Sequence, residues 1–545
     1  MRVPVAATWV WAATLAACGG GNSHMSSSSP PPSGGIPTPA QHTDVVTYKN
    51  DLARTGQNLT ESVLTPSNVN PSRFGLLRIL AADGHADATP LYLSALTVQG
   101  AAHNVVFVAT ENDSVYAYDS DNGTLLWHVS LLGPGETVDD LPSYGCSQVV
   151  PTIGITSTPV IDPGAGAHGI IYLVAMSLAS ASNIYHQRLH ALDVTTGEEL
   201  LAGPVEIAAS YPTLGGPTNF DPAQYVERAA LLLSNGTLYT SWTSHCDVPP
   251  YTGWVIAYGA STLTRTAVFN AAPNSGGVGP AIWMSGGGPA ADAAGNVYLL
   301  TANGAFETTL DANGFPNQGD YGNSFLKLAL ASGTLKVSDY FTLYNEVDES
   351  GHDQDLGSGG IMLLPDLTDG SGVVRHLAAG AGKDGNLYVV SRDAMGHFNS
   401  NGNQIWQELP GALGAGIWST PAYFSGAVYY APTGGALRAF ALKAAQLAGA
   451  AASSTAVKFI YPGTSPAISA NGASNGIVWA HENSDPAVLH AYDAGNLARE
   501  LYNSSQAANG RDQFGAGNKF ITPVIADGKV FVGTQSGVAV FGLLN

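Results

Sequence analysis

Charged side chains are scarce in this 545-residue chain, making up only 11% of it. That excludes a disordered segment kept in solution by charge and a helical repeat laced with ion pairs. Basic residues are scarcer still, with 20 Lys and Arg against 41 Asp and Glu and a formal charge of −21. Such a surface repels phosphate backbones, so nucleic acid is excluded as a partner. Cysteine occurs three times, as Cys18, Cys146 and Cys246, never as neighbours. No GxSxG elbow, phosphate-binding loop or zinc-protease motif appears, and the 14 histidines are scattered. The sequence therefore assigns no metal ligand. A tight EF-hand loop is not matched either. What abounds is glycine, 65 residues of it, which fits many short strands joined by tight turns.

Arg2 is followed by an apolar run over residues 3–17. It is too short to span a bilayer as a stable helix and reads as a signal peptide, residues 1–18. The run ends Leu15-Ala16-Ala17-Cys18-Gly19, which resembles the lipobox of bacterial lipoproteins. That resemblance implies lipidation of Cys18 after cleavage, and Gly19 in the next position implies the outer membrane. The alternative is an ordinary secretory signal with a chance cysteine. Residues 19–45, rich in Ser, Pro and Gly, form a linker that cannot bury a core. In an exported chain Cys146 and Cys246 suggest a disulfide. It would close a loop of roughly 100 residues, worth on the order of 4–5 kcal/mol by chain entropy. Two separate buried thiols are the alternative.

Residues 46–545 repeat. A short alternating strand reads VYAYD at 115–119, LHALD at 189–193, VIAYG at 255–259 and FLKLA at 325–329. It returns as LYVVS at 387–391, LRAFA at 437–441, LHAYD at 489–493 and VAVFG at 538–542. Period-two alternation of this length marks a half-buried strand. Upstream of most copies a small residue and proline open another strand, as in Thr89-Pro90, Thr158-Pro159, Thr420-Pro421 and Thr522-Pro523. Asp-Gly, Asn-Gly and Ser-Gly turns between strands favour hairpins. The units start near residues 89, 158, 228, 285, 356, 418, 465 and 520. One four-stranded meander cannot bury both faces alone, so neighbours must stack. The expected fold is all-β, a single eight-bladed β-propeller of four-stranded blades. Its last unit stops one strand short, and FGLLRILA at 74–81 is the N-terminal strand expected to close it.

After its alternating strand the first unit continues Asp119-Ser120-Asp121-Asn122-Gly123-Thr124-Leu125-Leu126-Trp127. This resembles the tryptophan-docking repeat of the pyrroloquinoline quinone (PQQ)-like propellers, in which Asp caps a turn and Trp docks between blades. The second unit keeps Asp193 and Thr196-Gly197, but Leu201 stands where Trp would, and most later units lose the Trp. The family includes PQQ-dependent alcohol dehydrogenases and a cofactor-free lipoprotein of the outer-membrane β-barrel assembly machinery. The dehydrogenases often carry an adjacent cysteine pair over the cofactor and a CxxCH haem site, and this sequence has neither.

GKDGNLYVVSRDAMG at 382–396 is similar to a dehydrogenase stretch, which implies that Lys383 reaches a quinone oxygen in the central channel. Otherwise Lys383 and Asp384 form a polar turn, and Arg392 and Asp393 a surface pair. Residues 349–355 gather carboxylates just before the fifth unit. In a propeller that loop sits at the channel mouth, where Asp355 is the candidate base and the acids offer oxygens to Ca²⁺. A solvated loop is the bland reading. Trp418 precedes the sixth unit's first strand and should face the channel, as a stacking platform for a flat ring or as a plug. His245 beside Cys246 suggests a metal or thiol site, which a disulfide at Cys246 would cancel. Two functions follow. The preferred one is a lipid-anchored envelope propeller that binds or scaffolds protein or polysaccharide, with no cofactor expected and the membrane reached through the anchor alone. The alternative is a PQQ-dependent dehydrogenase of alcohols or sugars, using Ca²⁺, Lys383, Trp418 and Asp355.

Overall fold

A computed structural model describes residues 43–139 and 148–544. Its main sheets are eight four-stranded antiparallel meanders in chain order, some extended by a two-residue strand. Their innermost strands begin at Leu91, Val160, Leu232, Ala290, Met362, Ala422, Ala467 and Val524, close to the starts read from the repeats. Each alternating segment is the third strand of its blade, as Ser114–Asp119 is in blade 1 and Val488–Asp493 in blade 7. The one α-helix among the described residues is Glu346–Gly351.

The eighth blade supplies three strands from the C-terminal end of the chain. Its fourth is Phe74–Ala81, antiparallel to Gly537–Leu543 from Phe74↔Leu543 to Ala81↔Gly537. Phe74 is fully buried at the joint with blade 7, its ring centroid 5.3 Å from Trp479, 5.0 Å from Tyr502 and 6.3 Å from Phe541. The ring is thus closed by pairing the start of the fold with its end, which leaves no blade with an open central edge.

A second closure was not visible in the repeats. Residues 45–58 run round the channel and hydrogen-bond to every blade at or beside its innermost strand. Val45 pairs with Tyr92, and Val46 O accepts from Ile161. Arg54 Nη2 reaches Leu231 O at 3.1 Å. Carbonyls of Leu52, Ala53, Thr55 and Gly56 accept from Ala291, Leu363, Tyr423 and Ile468, and Asn58 Nδ2 donates to Ile525 O. This strap explains the Thr-Pro signature. Tyr48 OH bonds Thr420 Oγ1 at 2.7 Å and Thr522 Oγ1 at 3.2 Å, while Lys49 Nζ donates to carbonyls of Pro421 and Pro466. Backbone oxygens just before the inner strands of blades 3, 4, 6 and 7 accept from the strap's cations, Leu231 and Pro289 from Arg54 and Pro421 and Pro466 from Lys49.

Between blades, Trp127 docks as the repeat implies. Its Nε1 donates to Val194 O at 3.0 Å, and its ring lies so close to Gly197 that a Cβ there would meet it at 2.7 Å. Gly197, at φ +74°, is required by both its turn and its neighbour. Blade 5 does the same with Trp406, whose Nε1 donates to Ala445 O at 2.6 Å. The repeat did not show this copy because 14 residues separate its strand Leu387–Ser391 from Trp406.

Candidate functional site

The strap holds the inner strands beyond their first residues, so the channel mouth on the other side is built from the segments that precede those strands. Trp283 (before blade 4) and Phe520 (before the opposed blade 8) meet at 5.5 Å between centroids with planes at 82°. Tyr461 joins Phe520 at 6.3 Å and Trp418 at 5.7 Å. Trp283, Phe520, Tyr461 and Trp418 thus form one chain of edge-to-face rings at the mouth. Beside them lies a cavity of about 230 Å³ whose wall includes Arg228, Cys246, Trp283, Asp355, Lys383 and Trp418.

The three residues singled out for the quinone alternative therefore share one cavity. Lys383 Nζ lies 2.6 Å from both Asp355 Oδ2 and Asp353 Oδ1, and 5.9 Å from the centre of the Trp418 ring. Burial opposes the ammonium charge, but the two carboxylates outweigh it and hold the Lys383 pKa above its ordinary value. Burial pushes the Asp355 carboxyl up, against the pull of Lys383. Asn303 N donates to Asp355 Oδ1 at 2.6 Å, fixing the carboxylate plane. The acidic loop is partly the helix Glu346–Gly351. Its Glu346 accepts from Ser350, while Asp353 and Asp355 follow the helix and turn into the cavity.

The surface pair expected of Arg392 and Asp393 does not form. Arg392 Nε donates to Leu377 O, and Asp393 faces His376 at 3.0 Å. Asp384 makes the polar turn without Lys383, accepting from Tyr388 OH and from Asn386 N. Cys246 and Asp247 line the cavity, and burial pushes the His245 pKa down to about 4. Cys18 and Cys146 lie outside the described residues.

Sequence reasoning missed Arg228. It is 2% exposed, and its Nη1 donates to Thr156 O at 3.1 Å. Its Nε and Nη2 are buried without a hydrogen-bond partner. The adjacent Glu227 does not neutralise it; that carboxyl accepts instead from Ser157 Oγ and Ser241 N, and burial pushes its pKa well up. Arg228 fits because Gly286 stands against it at φ +82°, where a Cβ would come within 2.5 Å of Nη1. An Arg in the apolar stretch YVERAALLL, with Gly286-Gly287-Gly288 downstream, was the available signal. The Arg228 guanidinium lies over the Phe520 ring at 5.4 Å and acts on the Glu111 carboxyl, which leaves Nε and Nη2 as the donors open to a further acceptor.

No protein-family model matches the sequence, nor does any curated protein. Solved structures do match. A quinohemoprotein alcohol dehydrogenase from Comamonas testosteroni aligns with a TM-score of 0.58 at 16% identity, over 92% of this chain and 80% of that one. A europium-containing methanol dehydrogenase aligns at 0.56 and 14% identity, over 92% and 98%. The fold is an eight-bladed β-propeller like that of these dehydrogenases. A quinohemoprotein alcohol dehydrogenase from Pseudomonas putida HK5 gives 0.56 at 15% identity, over 92% and 80%. At such identities the likeness fixes the propeller and its blade count, and the residues of the mouth must carry any argument about chemistry.

Proposed function

We propose that the channel mouth binds a planar anionic cofactor of the PQQ type and that the protein is an exported dehydrogenase of alcohols or sugars. The observation that carries this reading is the gathering of Lys383, Asp355 and Trp418 in one cavity with Arg228, whose Nε and Nη2 lack partners. The fit is specific in kind. Indoles of Trp283 and Trp418 offer flat apolar faces. Arg228 offers a planar donor pair suited to a carboxylate or an ortho-quinone oxygen. Asp353 and Asp247 add oxygens at the rim for an accompanying Ca²⁺.

When bound, PQQ supplies a two-electron acceptor for alcohol oxidation. The chain's own part is to orient and to move one proton. Asp355, whose carboxyl burial pushes up, would accept the substrate hydroxyl proton at Oδ2, and Lys383 beside it would hold the cofactor. Asn303 N keeps Asp355 aimed, and the aromatic floor excludes water. Export by a signal at residues 1–18, anchoring at Cys18 and a linker over 19–45 belong to the same reading, with the outer membrane as its place.

The test is reconstitution of the full chain with PQQ and Ca²⁺, followed by dialysis, quinone absorbance and dye reduction over an alcohol panel. The expected result is one PQQ retained per chain. Arg228→Met and Lys383→Met should weaken retention by about 10- to 100-fold, the worth of a hydrogen bond to a charged group. Asp355→Asn should keep PQQ and lose on the order of 10²–10⁴ in kcat. No retention at saturating PQQ would overturn the reading and return the propeller to a role in binding an envelope protein or polysaccharide.

A further inference from the structure

A second polar cluster lies outside the cavity, at the joint where the ring closes. His85 and Asp87 belong to the segment between the closing strand Phe74–Ala81 and the first strand of blade 1, Leu91–Val98. Glu111 sits in the turn between blade 1 strands Ala101–Ala109 and Ser114–Asp119. Backbone bonds lock them together: Glu111 N donates to His85 O at 3.0 Å, and Ala86 N donates to Thr534 O of blade 8 at 3.0 Å.

One ligating atom each from His85, Asp87 and Glu111 falls within 4.8 Å of the others. His85 Nδ1 is 3.7 Å from Glu111 Oε2. Glu111 is fully buried, its carboxyl facing that of Asp87 and the Thr152 backbone, and His85 has the Val150 backbone beside it. Asp87 is 7% exposed, and its Oδ1 is held by Asn518 Nδ2 at 2.6 Å, which orients the carboxylate as outer partners of metal ligands do. Among the described residues, His85–Glu111 is the one ion pair at the cluster. Arg228 and Lys519 are the cations that act on it electrostatically. Two buried carboxylates at this distance cannot both stay charged without a cation between them.

We propose that His85, Asp87 and Glu111 form a binding site for a divalent transition-metal ion of the zinc class, which pins blade 8 to blade 1. The donor set selects the class. One imidazole and two carboxylates suit Zn²⁺, with bonds of about 2.0–2.2 Å, whereas Ca²⁺ and Mg²⁺ take oxygen alone. Ligand atoms on such an ion stand about 3–4 Å apart. His85 and Glu111 already do so, and an Asp87 oxygen lies within 4.8 Å of both. The site is structural, because its ligands come from the closure joint and none lines the channel cavity.

The experiment strips the full chain with chelator and titrates Zn²⁺ by calorimetry, with Co²⁺ absorbance as a second probe and thermal unfolding as a third. One Zn²⁺ per chain with a Kd of about 1 µM or tighter, visible Co²⁺ bands from a nitrogen-oxygen site, and a rise in Tm on zinc addition are expected. Glu111→Gln and His85→Ala should abolish all three while near-UV circular dichroism shows them folded. If a variant fails to fold, displacement of the wild-type Co²⁺ bands by Zn²⁺, and their loss in Asp87→Asn, report on the same site. The proposal is overturned by absence of zinc binding in the wild type, by Ca²⁺ binding in its place, or by stoichiometric zinc in the folded variants. PQQ takes no part in any of these readouts.

Discussion

Single residues in this propeller carry meaning mainly where burial leaves a polar atom without company. His481 is fully buried, and burial together with the neighbouring His490 charge pushes its pKa down to about 3. His490 is held charged between Glu482 at 3.0 Å and Glu500 at 2.7 Å, with its pKa raised despite burial. The unfolded chain binds a proton at position 481 below pH 6.5 and the folded chain does not, so this group removes stability as pH falls from 6.5 toward 3. At pH 5 the loss is about 2 kcal/mol. Urea unfolding of the wild type and His481→Phe at pH 7.5 and pH 5 should show a smaller drop in the variant; equal drops would reject this assignment. Asp355 and Trp418 were legible as sequence because they precede the first strands of repeat units, and Lys383 through the likeness of its stretch to the dehydrogenases. Arg228 was not, since its importance lies in two empty hydrogen-bond positions that no spacing records.

Elements divide in the same way. The strand Phe74–Ala81 was legible because the last unit lacked a partner and this segment had no unit of its own. Its anchor is testable. Phe74→Ala removes a ring packed on Trp479, Tyr502 and Phe541 and should cost about 3–5 kcal/mol, seen as a lower urea midpoint with an unchanged slope. A change below 1 kcal/mol would mean the closing strand contributes little to the fold. The strap over residues 45–58 was not legible. It has no period and belongs to none of the eight units, although residues 46–58, with Lys49, Asp51 and Arg54, fall in the stretch assigned to the propeller. Only the ring of inner-strand carbonyls makes sense of those cations. Removing Arg54 would strand the oxygens of Tyr48, Leu231 and Pro289. Arg54→Met should therefore destabilise by about 3 kcal/mol or more in the same assay.

At the scale of the whole molecule, the ring is held at the blade 8 to blade 1 joint by main-chain pairing, by the strap and, in our proposal, by a metal. The expected Cys146–Cys246 bridge would add a link from the loop before blade 2 to blade 3. Thiol titration of denatured protein should find two fewer thiols without reductant than with it; equal counts would reject the bridge. The sequence by itself determined the all-β class, the eight repeats and the missing strand, because period-two alternation and turn residues are local properties of the chain. It also determined which segments precede each inner strand, which brought Asp355 and Trp418 to notice, while Lys383 came from the likeness of 382–396 to a dehydrogenase stretch. Only the tertiary structure decided that those three share one cavity with Arg228, that the strap touches all eight blades, and that His85, Asp87 and Glu111 converge. Each of these is a meeting of residues from different turns of the ring, and the cost of burying a charge or a carbonyl depends on what closes over it.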